Sequence, residues 1–235
     1  MLLSDGAVVS GGDSIETGFV VRASSGALSA IAVVGRPAHD AIVRAVDGVT
    51  DMTPVLSQPD NAAHVAAALA SCPPSRAGIT WRPEGVVLHD LRALSEDEPR
   101  EDVAIRLLGP DDPIDHLPAG LRFEIFHARS TVPVAVAVVD GRAVSFCYAC
   151  WTTETLWDVS IDTLEAYRRR GLGARAVRFM IARMNEEHLQ PVWGASESNA
   201  ASLALARTLG FRPAAEIVAF SRGPWAYLTQ GFDDA

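Results

Sequence analysis

The chain has 235 residues and a net charge of −9, and all twenty of its basic residues are arginine. The acidic balance excludes a general role in binding nucleic acids, because contacts with phosphate backbones need a basic surface. The absence of lysine from the sequence excludes a P-loop NTPase, whose loop requires Gly-Lys-Ser/Thr, and an enzyme that works through a lysine Schiff base.

Composition and length also indicate the size of the core, the number of domains and the cellular compartment. Hydrophobic residues make up 49% of the chain, enough for a substantial core, and the length suits one large domain or two small ones. The first residues lack the basic segment followed by an apolar segment that is typical of a secretory signal peptide. No apolar run reaches the roughly 18 residues of a membrane helix. Three cysteines fit a reducing compartment better than a disulfide framework. We therefore expect a cytoplasmic protein without a membrane partner.

A polar, acidic segment at residues 93–102 (ALSEDEPRED) divides the chain. We place a boundary in it, with a small N-terminal α/β domain of unknown role at residues 1–98 and a second domain at residues 99–235. The predicted strands of the first domain are 19–22, 30–34, 78–82 and 86–88, and its predicted helices are 37–46 and 61–72. This part of the sequence carries no motif of recognisable chemistry.

The second domain begins with a predicted strand at 103–108 and a predicted helix at 117–129. Asp140-Gly141 is a strong hairpin signal between strands at 132–139 and 142–150. Strand and helix then alternate, with strands at 157–163, 191–195 and 215–220 and helices at 171–188 and 199–209. The longer helix shows the 3.6-residue period of an amphipathic helix.

The junction before this longer helix predicts an anion site. Three consecutive arginines, Arg168, Arg169 and Arg170, precede Gly171 and Gly173. Glycine allows a ligand to approach the backbone closely, and the first turn of a helix presents unpaired N–H groups at the positive end of the helix dipole. A phosphate or pyrophosphate is the ligand that such a junction suits best.

Two motifs at this spacing resemble the signatures of the GNAT superfamily of acyl-CoA-dependent N-acyltransferases. The first signature, Arg/Gln-x-x-Gly-x-Gly/Ala at the start of a helix, reads Arg168 to Gly173 here. The second, an asparagine followed by an apolar helix that ends in Gly-Phe, runs from Asn199 to Phe211. The resemblance covers about residues 103–222. It implies a GNAT-like α/β fold of the α+β type, whose mixed, mostly antiparallel sheet is flanked by helices; the N-terminal α/β unit is not explained by it.

The resemblance further implies acetyl-CoA as co-substrate and no metal. It places the pyrophosphate of coenzyme A on the backbone around the two glycines, and the pantetheine arm along the edge of the preceding strand. The residues thereby assigned to the cofactor are Ile161, Asp162, Thr163, Arg168, Arg169, Arg170, Gly171, Leu172, Gly173, Ala174, Asn199 and Ser202. Asn199 keeps a second interpretation, because capping of its own helix also accounts for it.

Transfer of an acyl group to an amine needs a base for the amine and a hydrogen-bond donor for the thioester carbonyl. Glu154 and Asp158 are the candidates for the base, because family members often carry a carboxylate at the start of this strand; a solvated sheet face also accounts for them. Many family members carry a tyrosine seven residues after the asparagine, where this chain has Ala206. Another residue must then protonate the thiolate, the thiolate must leave unaided, or catalysis is reduced. The tyrosines available as substitutes are Tyr148, Tyr167 and Tyr227, although packing accounts for each.

We predict transfer of an acetyl group from acetyl-CoA to a primary amine of a small molecule or peptide, by direct attack. The main alternative is a non-catalytic acyl-CoA-binding sensor or regulatory module, which Ala206 motivates. Gly171-x-Gly173-x-x-Ala176 also matches the dinucleotide fingerprint, but the preceding antiparallel hairpin argues against that fold. The sequence leaves open the identity of the acceptor and whether the chain forms a homodimer.

Overall fold

The computed structural model describes residues 8–11, 17–25, 28–50, 53–74, 80–95 and 103–222. These residues form two compact units. The first unit contains the residues up to Leu88 together with those from Ala215 onward, and the second unit is His89–Ala214. The predicted boundary at 98/99 lies outside the described residues and stays a prediction.

The first unit is a sheet with two helices. Its strands are β1 (Val8–Gly11), β2 (Phe19–Ser25), β3 (Leu28–Val34), β4 (Val55–Ser57), most of β5 (Arg82–Leu91) and the end of β11 (Phe211–Ser221), and its helices are α1 (His39–Ala45) and α2 (Ala62–Ala70). β2 pairs antiparallel with β1 and β3, β3 pairs parallel with β4, and β4 pairs antiparallel with β11. One core cluster joins the strands to both helices and includes Ile31, Ile42 and Leu69.

The second unit contains the predicted anion site. Besides the ends of β5 and β11, its elements are β6 (Ala104–Leu107), α3 (Ala119–Ala128), β7 (Val134–Val139), β8 (Arg142–Thr152), β9 (Leu156–Thr163), α4 (Leu172–Glu186), β10 (Gln190–Ser196) and α5 (Ala200–Leu209). The strand order is β10-β9-β8-β7-β6. β6 to β9 pair antiparallel, whereas β9 and β10 pair parallel. The predicted mixed, mostly antiparallel sheet is confirmed, and it excludes the dinucleotide-binding alternative, whose sheet is parallel.

Helices cover both faces of the sheet in this second unit. Val177 and Met180 of α4 share a buried cluster with Trp157 on one face, and α5 contributes to the same cluster. Ile125 of α3 shares a different cluster with Phe146 on the other face. None of the helices in the described part of the chain has the length and hydropathy needed to span a membrane.

Most predicted elements in the described residues are confirmed within a few residues, and the exceptions have local causes. β5 is continuous over Arg82–Leu91, so the prediction of two strands at 78–82 and 86–88 is wrong; residues 78 and 79 lie outside the described part. Pro83 does not end the strand, because its fixed φ is compatible with extended backbone. β11 begins at Phe211, earlier than the predicted 215. β1 and β4 were not predicted, because strands this short show no periodic pattern.

Asp140 and Gly141 form the predicted hairpin turn between β7 and β8. Their φ angles are 50° and 76°, and Val139 pairs with Arg142 across the turn. Two central residues with positive φ are what a tight hairpin turn of this hand requires. The hairpin therefore fixes the register of the two pairs next to the turn, and an irregularity between Ala137 and Val138 shifts the register beyond them.

Two glycines of this unit should tolerate a methyl group differently. A Cβ added at Gly141 would meet open space, whereas a Cβ at Gly210, which ends α5 with a φ of 100°, would overlap the carbonyl oxygen of Ala93. We expect Gly141→Ala to lower the free energy of unfolding by about 1–2 kcal/mol, the cost of a left-handed L-residue. Gly210→Ala should cost about 1–3 kcal/mol more, because the backbone around residue 93 must move. Urea denaturation measures both, and equal losses would contradict the close packing at Gly210.

Candidate functional site

The N-terminus of α4 is open in the way that an anion site requires. A short 3₁₀ helix, Glu165–Tyr167, follows β9, and three exposed arginines lead from it to Gly171. Gly171 is the N-cap residue with a φ of 76°, and no side chain caps the first turn. The N–H groups of this turn are therefore left for an external acceptor. Leu172 is buried and Ala174 packs beside the core, so these residues offer a ligand their backbone.

The three arginines before α4 are held in different ways. Arg168 donates from Nε to the carbonyl oxygen of Thr163 at 3.1 Å. The Arg170 guanidinium lies over the ring of Tyr167, 5.4 Å from its centroid. Arg169 has a φ of 60°, in the left-handed region, and is exposed. The structure thus brings all three predicted arginines to the open end of the helix.

Gly173 allows α4 to pack closely on β9. A Cβ at this position would lie 3.3 Å from Oγ1 of Thr163 and 3.5 Å from Cγ1 of Ile161. The Thr163 hydroxyl is itself hydrogen bonded at 2.7 Å to the buried Ser145 hydroxyl, so it cannot move away without loss. The second glycine of the motif therefore has a packing role in addition to the predicted role in binding.

β9 and β10 separate after three residue pairs. Leu156, Trp157 and Asp158 pair in parallel with residues 190–192, and the two strands, both fully described, form no further pairs beyond Asp158. On its other side β9 stays paired with β8 as far as Thr163. Residues 159–163 therefore have one edge without a neighbouring strand. Since this edge leads to the open end of α4, an extended ligand with amide groups can pair with it while its anionic end reaches the helix.

Asn199 and Ser202 lie together at the start of α5. Asn199 Oδ1 accepts the backbone N–H of Ser202 at 3.0 Å, so Asn199 does cap its own helix. The Ser202 hydroxyl oxygen accepts the indole N–H of Trp193 from β10 at 2.9 Å. The amide NH₂ of Asn199 and the hydroxyl proton of Ser202 make no hydrogen bond within the described residues. Both side chains thus keep a donor, and their contact with a cofactor stays a prediction.

Ala206 offers no substitute for the missing tyrosine. It is completely buried and belongs to the core cluster that contains Leu209. Of the three tyrosines considered from the sequence, Tyr148 is buried, Tyr167 is partly buried and Tyr227 lies outside the described residues. Any group that protonates a leaving thiolate must therefore belong to a residue other than Ala206.

The two predicted base candidates have different surroundings. Glu154 is exposed in the connection between β8 and β9. Asp158 is partly buried, and its Oδ1 accepts the backbone N–H of Trp151 at 2.6 Å where β8 bulges. Burial raises the pKa of Asp158 to about 7, although hydrogen bonds from the backbone of Trp151 and Cys150 act to lower it. A carboxyl group with this pKa can gain and lose a proton near neutral pH, as a general base must.

Glu124 of α3 is a third carboxyl group near this strand and was not among the predicted site residues. The Tyr148 hydroxyl on β8 donates to its Oε2 at 2.6 Å. Burial raises the pKa of Glu124 to about 7; the hydrogen bond from Tyr148 lowers it, and the charge of Asp162 on β9 raises it. Burial also raises the pKa of Asp162 to about 6, against the opposing effect of Arg168. Glu124 and Asp162 therefore interact with each other, and both interact with the hydroxyl group of Tyr148.

The sequence contains a signal for Glu124 that lies outside the two motifs. Leu121, Ile125 and Ala128 form the buried face of α3. Glu124 lies on the same face, three residues after Leu121 and four before Ala128. A carboxylate on the apolar face of a helix is costly unless it has a partner or a function. Its partner Tyr148 was not predictable, because 24 positions separate the two residues.

These groups form a continuous feature, here called the carboxyl stripe, which consists of Glu124, Tyr148, Cys150, Asp158, Ser160 and Asp162. The Cys150 thiol and the Ser160 hydroxyl lie 2.9 Å apart in the middle of it. All of its members except Tyr148 keep some exposure to solvent. No described arginine or histidine forms an ion pair with its three carboxyl groups. Among the described residues, no group of His, Cys, Asp and Glu is arranged to hold a metal ion.

Comparisons with known proteins agree with this geometry. A family model described as GNAT acetyltransferase matches residues 134–220. No curated protein matches the chain. A solved GCN5-related N-acetyltransferase-like protein from Streptococcus suis 89/1591 has a TM-score of 0.62 and 16% identity, and the match covers 92% of this chain and 88% of that chain.

Two further solved structures are similar over most of the chain. A Drosophila protein has a TM-score of 0.63 at 12% identity, covering 93% of this chain and 80% of that chain. A GCN5-related N-acetyltransferase from Kribbella flavida has a TM-score of 0.56 at 14% identity, covering 95% and 91% respectively. At these identities the likeness shows a shared fold.

Two variants test whether Asn199 caps its own helix. Asn199→Ala removes the acceptor for the Ser202 N–H, and we expect the free energy of unfolding to fall by about 1 kcal/mol. Asn199→Asp keeps a side-chain oxygen for the cap and should lose much less. Urea denaturation of both variants tests this, and equal stability of Asn199→Ala and wild type would contradict the cap.

Proposed function

We propose that this chain, whose residues 134–220 match a family model described as GNAT acetyltransferase, transfers an acetyl group from acetyl-CoA to a primary amine. The observation that carries the proposal is that residues 159–163 have one edge without a neighbouring strand, and that this edge leads into the uncapped N-terminus of α4. The family match makes an acetyltransferase the general expectation, and the acceptor and the mechanism are the finer parts of the proposal.

The residues around this edge fit coenzyme A. Its pyrophosphate needs N–H donors and positive charge, which the first turn of α4 and Arg168 to Arg170 offer at one place. Its pantetheine arm carries amide groups that can pair with the backbone of residues 159–163. Asn199 and Ser202 keep side-chain donors at the start of α5, the helix that follows β10 across the gap. When bound, acetyl-CoA supplies the acetyl group as an activated thioester.

The acceptor approaches the gap from the α3 side of the sheet. The other side is filled by the buried side chains of α4 and α5, among them Val177 and Leu209. The carboxyl stripe lies on the α3 side and is partly exposed. Its carboxylates favour an acceptor that is cationic, because none of them forms an ion pair with an arginine or histidine of the described residues, although the charge of Arg168 acts on Asp162. A protonated primary amine of a small molecule or peptide meets this requirement.

The reaction removes two protons from a protonated amine; one ends on the thiol and the other enters the solvent. Asp158 is the last residue of β9 that pairs with β10, so it borders the point where the strands separate. Because burial raises its pKa to about 7, its carboxylate can take a proton from the acceptor nitrogen near neutral pH. It can then pass that proton to a thiolate, since a cysteine-like thiol has a pKa of about 8.5. Asp158 thereby does the work of the tyrosine that Ala206 replaces.

Arg169→Gly tests the cofactor site at little cost to the fold. It removes one positive charge beside α4 and relieves a φ of 60° that arginine rarely adopts. We expect the affinity for acetyl-CoA, measured by calorimetric titration, to fall roughly tenfold, which is the loss of one charge-assisted hydrogen bond. The melting temperature should not fall. Arg142→Gln, at an exposed arginine that begins β8, is the control and should bind as wild type. Absence of binding to the wild-type protein would overturn the cofactor assignment.

Asp158→Asn tests the base. The amide keeps an oxygen for the Trp151 N–H, so the bulge in β8 should persist. We expect kcat/KM for release of CoA with a panel of amines to fall about 10²–10⁴-fold. Wild-type kcat/KM should rise with pH through about 7, because Asp158 must be ionised to accept a proton, and the variant should lose the part of this rise that Asp158 contributes.

Glu154→Gln discriminates between the two carboxylates predicted from the sequence. With Asp158 as the base, this exposed variant should keep most of the activity. Full activity of Asp158→Asn together with inactivity of Glu154→Gln would reverse the assignment. Tight binding of acetyl-CoA by a wild-type protein that acetylates no amine would favour the non-catalytic alternative.

A further inference from the structure

We propose that Glu124 is a second proton acceptor in this acetyl transfer and that Tyr148 is its positioning residue. The proposal rests on the proposed function and addresses the proton that Asp158 does not carry. Two protons leave an ammonium acceptor, and a single carboxylate that passes its proton to the thiolate accounts for one of them.

The contact between Glu124 and Tyr148 holds the carboxyl group by one oxygen. Tyr148 is 3% exposed and donates its only hydroxyl proton to Oε2 at 2.6 Å. Oε1 of Glu124 makes no hydrogen bond within the described residues, and the side chain is partly exposed. One oxygen is therefore fixed while the other remains available to an acceptor that enters from solvent.

The strand register places this contact beside the proposed reaction centre. Tyr148 pairs with Ser160, midway between Asp158 and Asp162 on β9. Alternation along the strand puts these three β9 residues on one face, opposite Trp157 and the cluster beneath α4. Glu124 enters the same face from α3, which is the side left open to the acceptor.

The groups that face Glu124 act on its proton in opposite directions: the charge of Asp162 favours a proton on Glu124, whereas the hydrogen bond from Tyr148 favours the ionised carboxylate. Tyr148 and Cys150 face it from β8, and Asp162 faces it from β9. Arg168, which follows β9, acts on Asp162. A proton taken up by Glu124 therefore relieves repulsion with Asp162, and the ammonium group of an acceptor is a source of that proton.

Two protons leave the acceptor nitrogen in turn, the first to Glu124 and the second to Asp158. One N–H bond of the ammonium group breaks and an O–H bond forms on Oε1 of Glu124, while the electron pair stays on nitrogen. The nitrogen is then neutral and nucleophilic. Glu124 releases the proton to solvent, which its partial exposure permits. The second proton leaves the nitrogen after attack, and Asp158 takes it.

Three variants test the proposal in a CoA-release assay with the full chain and a panel of amines. Glu124→Gln keeps the size and the acceptor for Tyr148, and we expect its kcat/KM to fall about 10²–10⁴-fold across the panel. Tyr148→Phe removes the hydrogen bond that favours the ionised carboxylate, so its pH–rate profile should move to higher pH while the plateau rate largely persists. Glu186→Gln, at an exposed residue paired with Arg183, is the matched control and should leave rate and profile unchanged.

Stability against pH gives a readout that does not depend on turnover. The folded chain holds the Glu124 proton more tightly than the unfolded chain, because the pKa rises from 4.5 to about 7 on folding. Wild type therefore loses free energy of unfolding as the pH rises from about 4.5 through 7, and Glu124→Gln lacks this part of the loss. The melting temperature of Glu124→Gln relative to wild type should be higher at pH 8 than at pH 5.

The outcomes separate the proposal from the function on which it rests. Reduced turnover and increased relative stability of Glu124→Gln at pH 8, with a shifted profile for Tyr148→Phe, support it. If Glu124→Gln keeps the full turnover of the wild type, the role of Glu124 is overturned and the proposed function stands. An unshifted profile for Tyr148→Phe overturns the positioning role. A wild-type protein that binds acetyl-CoA and acetylates no amine overturns both the function and this inference.

Discussion

The separation of β9 from β10 is the constraint on which the site depends. Backbone N–H and C=O groups of a strand need partners, and residues 159–163 have a strand on only one side. A ligand with amide groups can supply the missing partners. The same strand ends at the uncapped turn of α4, and α5 begins across the gap. In the function that we propose, this one local loss of pairing determines where the cofactor lies and which face of the sheet remains for an acceptor.

The carboxyl stripe is the second feature on which the site depends, and it lowers the stability of the fold. Glu124, Asp158 and Asp162 are placed between a helix and a sheet, where burial raises the pKa of each of them. Apolar residues would fill this space at lower cost, as they do around Ile125 and Phe146. Proteins retain such groups where chemistry requires proton affinities close to the ambient pH.

The sequence predicted the backbone conformation correctly where a motif lies within one short segment. Arg168 to Gly173 and Asn199 to Gly210 each lie within one turn-to-helix segment, and their conformations follow from glycine and capping preferences. The mixed sheet followed from the resemblance that these motifs carry. Glu124 and Tyr148 were not paired in advance, because their contact depends on how α3 packs across β8. The continuous strand β5 was missed because Pro83 and Gly85 are typical of turns, and only pairing in the folded chain overrides that preference.

Amide hydrogen exchange with and without acetyl-CoA tests the central claim most directly. If the cofactor completes the edge of β9, alternate amides of residues 159–163 and the first-turn amides of α4 should become strongly protected on binding. The amides of β9 that already face β8 should change little. Binding of acetyl-CoA without new protection in either segment, or with protection confined to the first unit, would contradict the account.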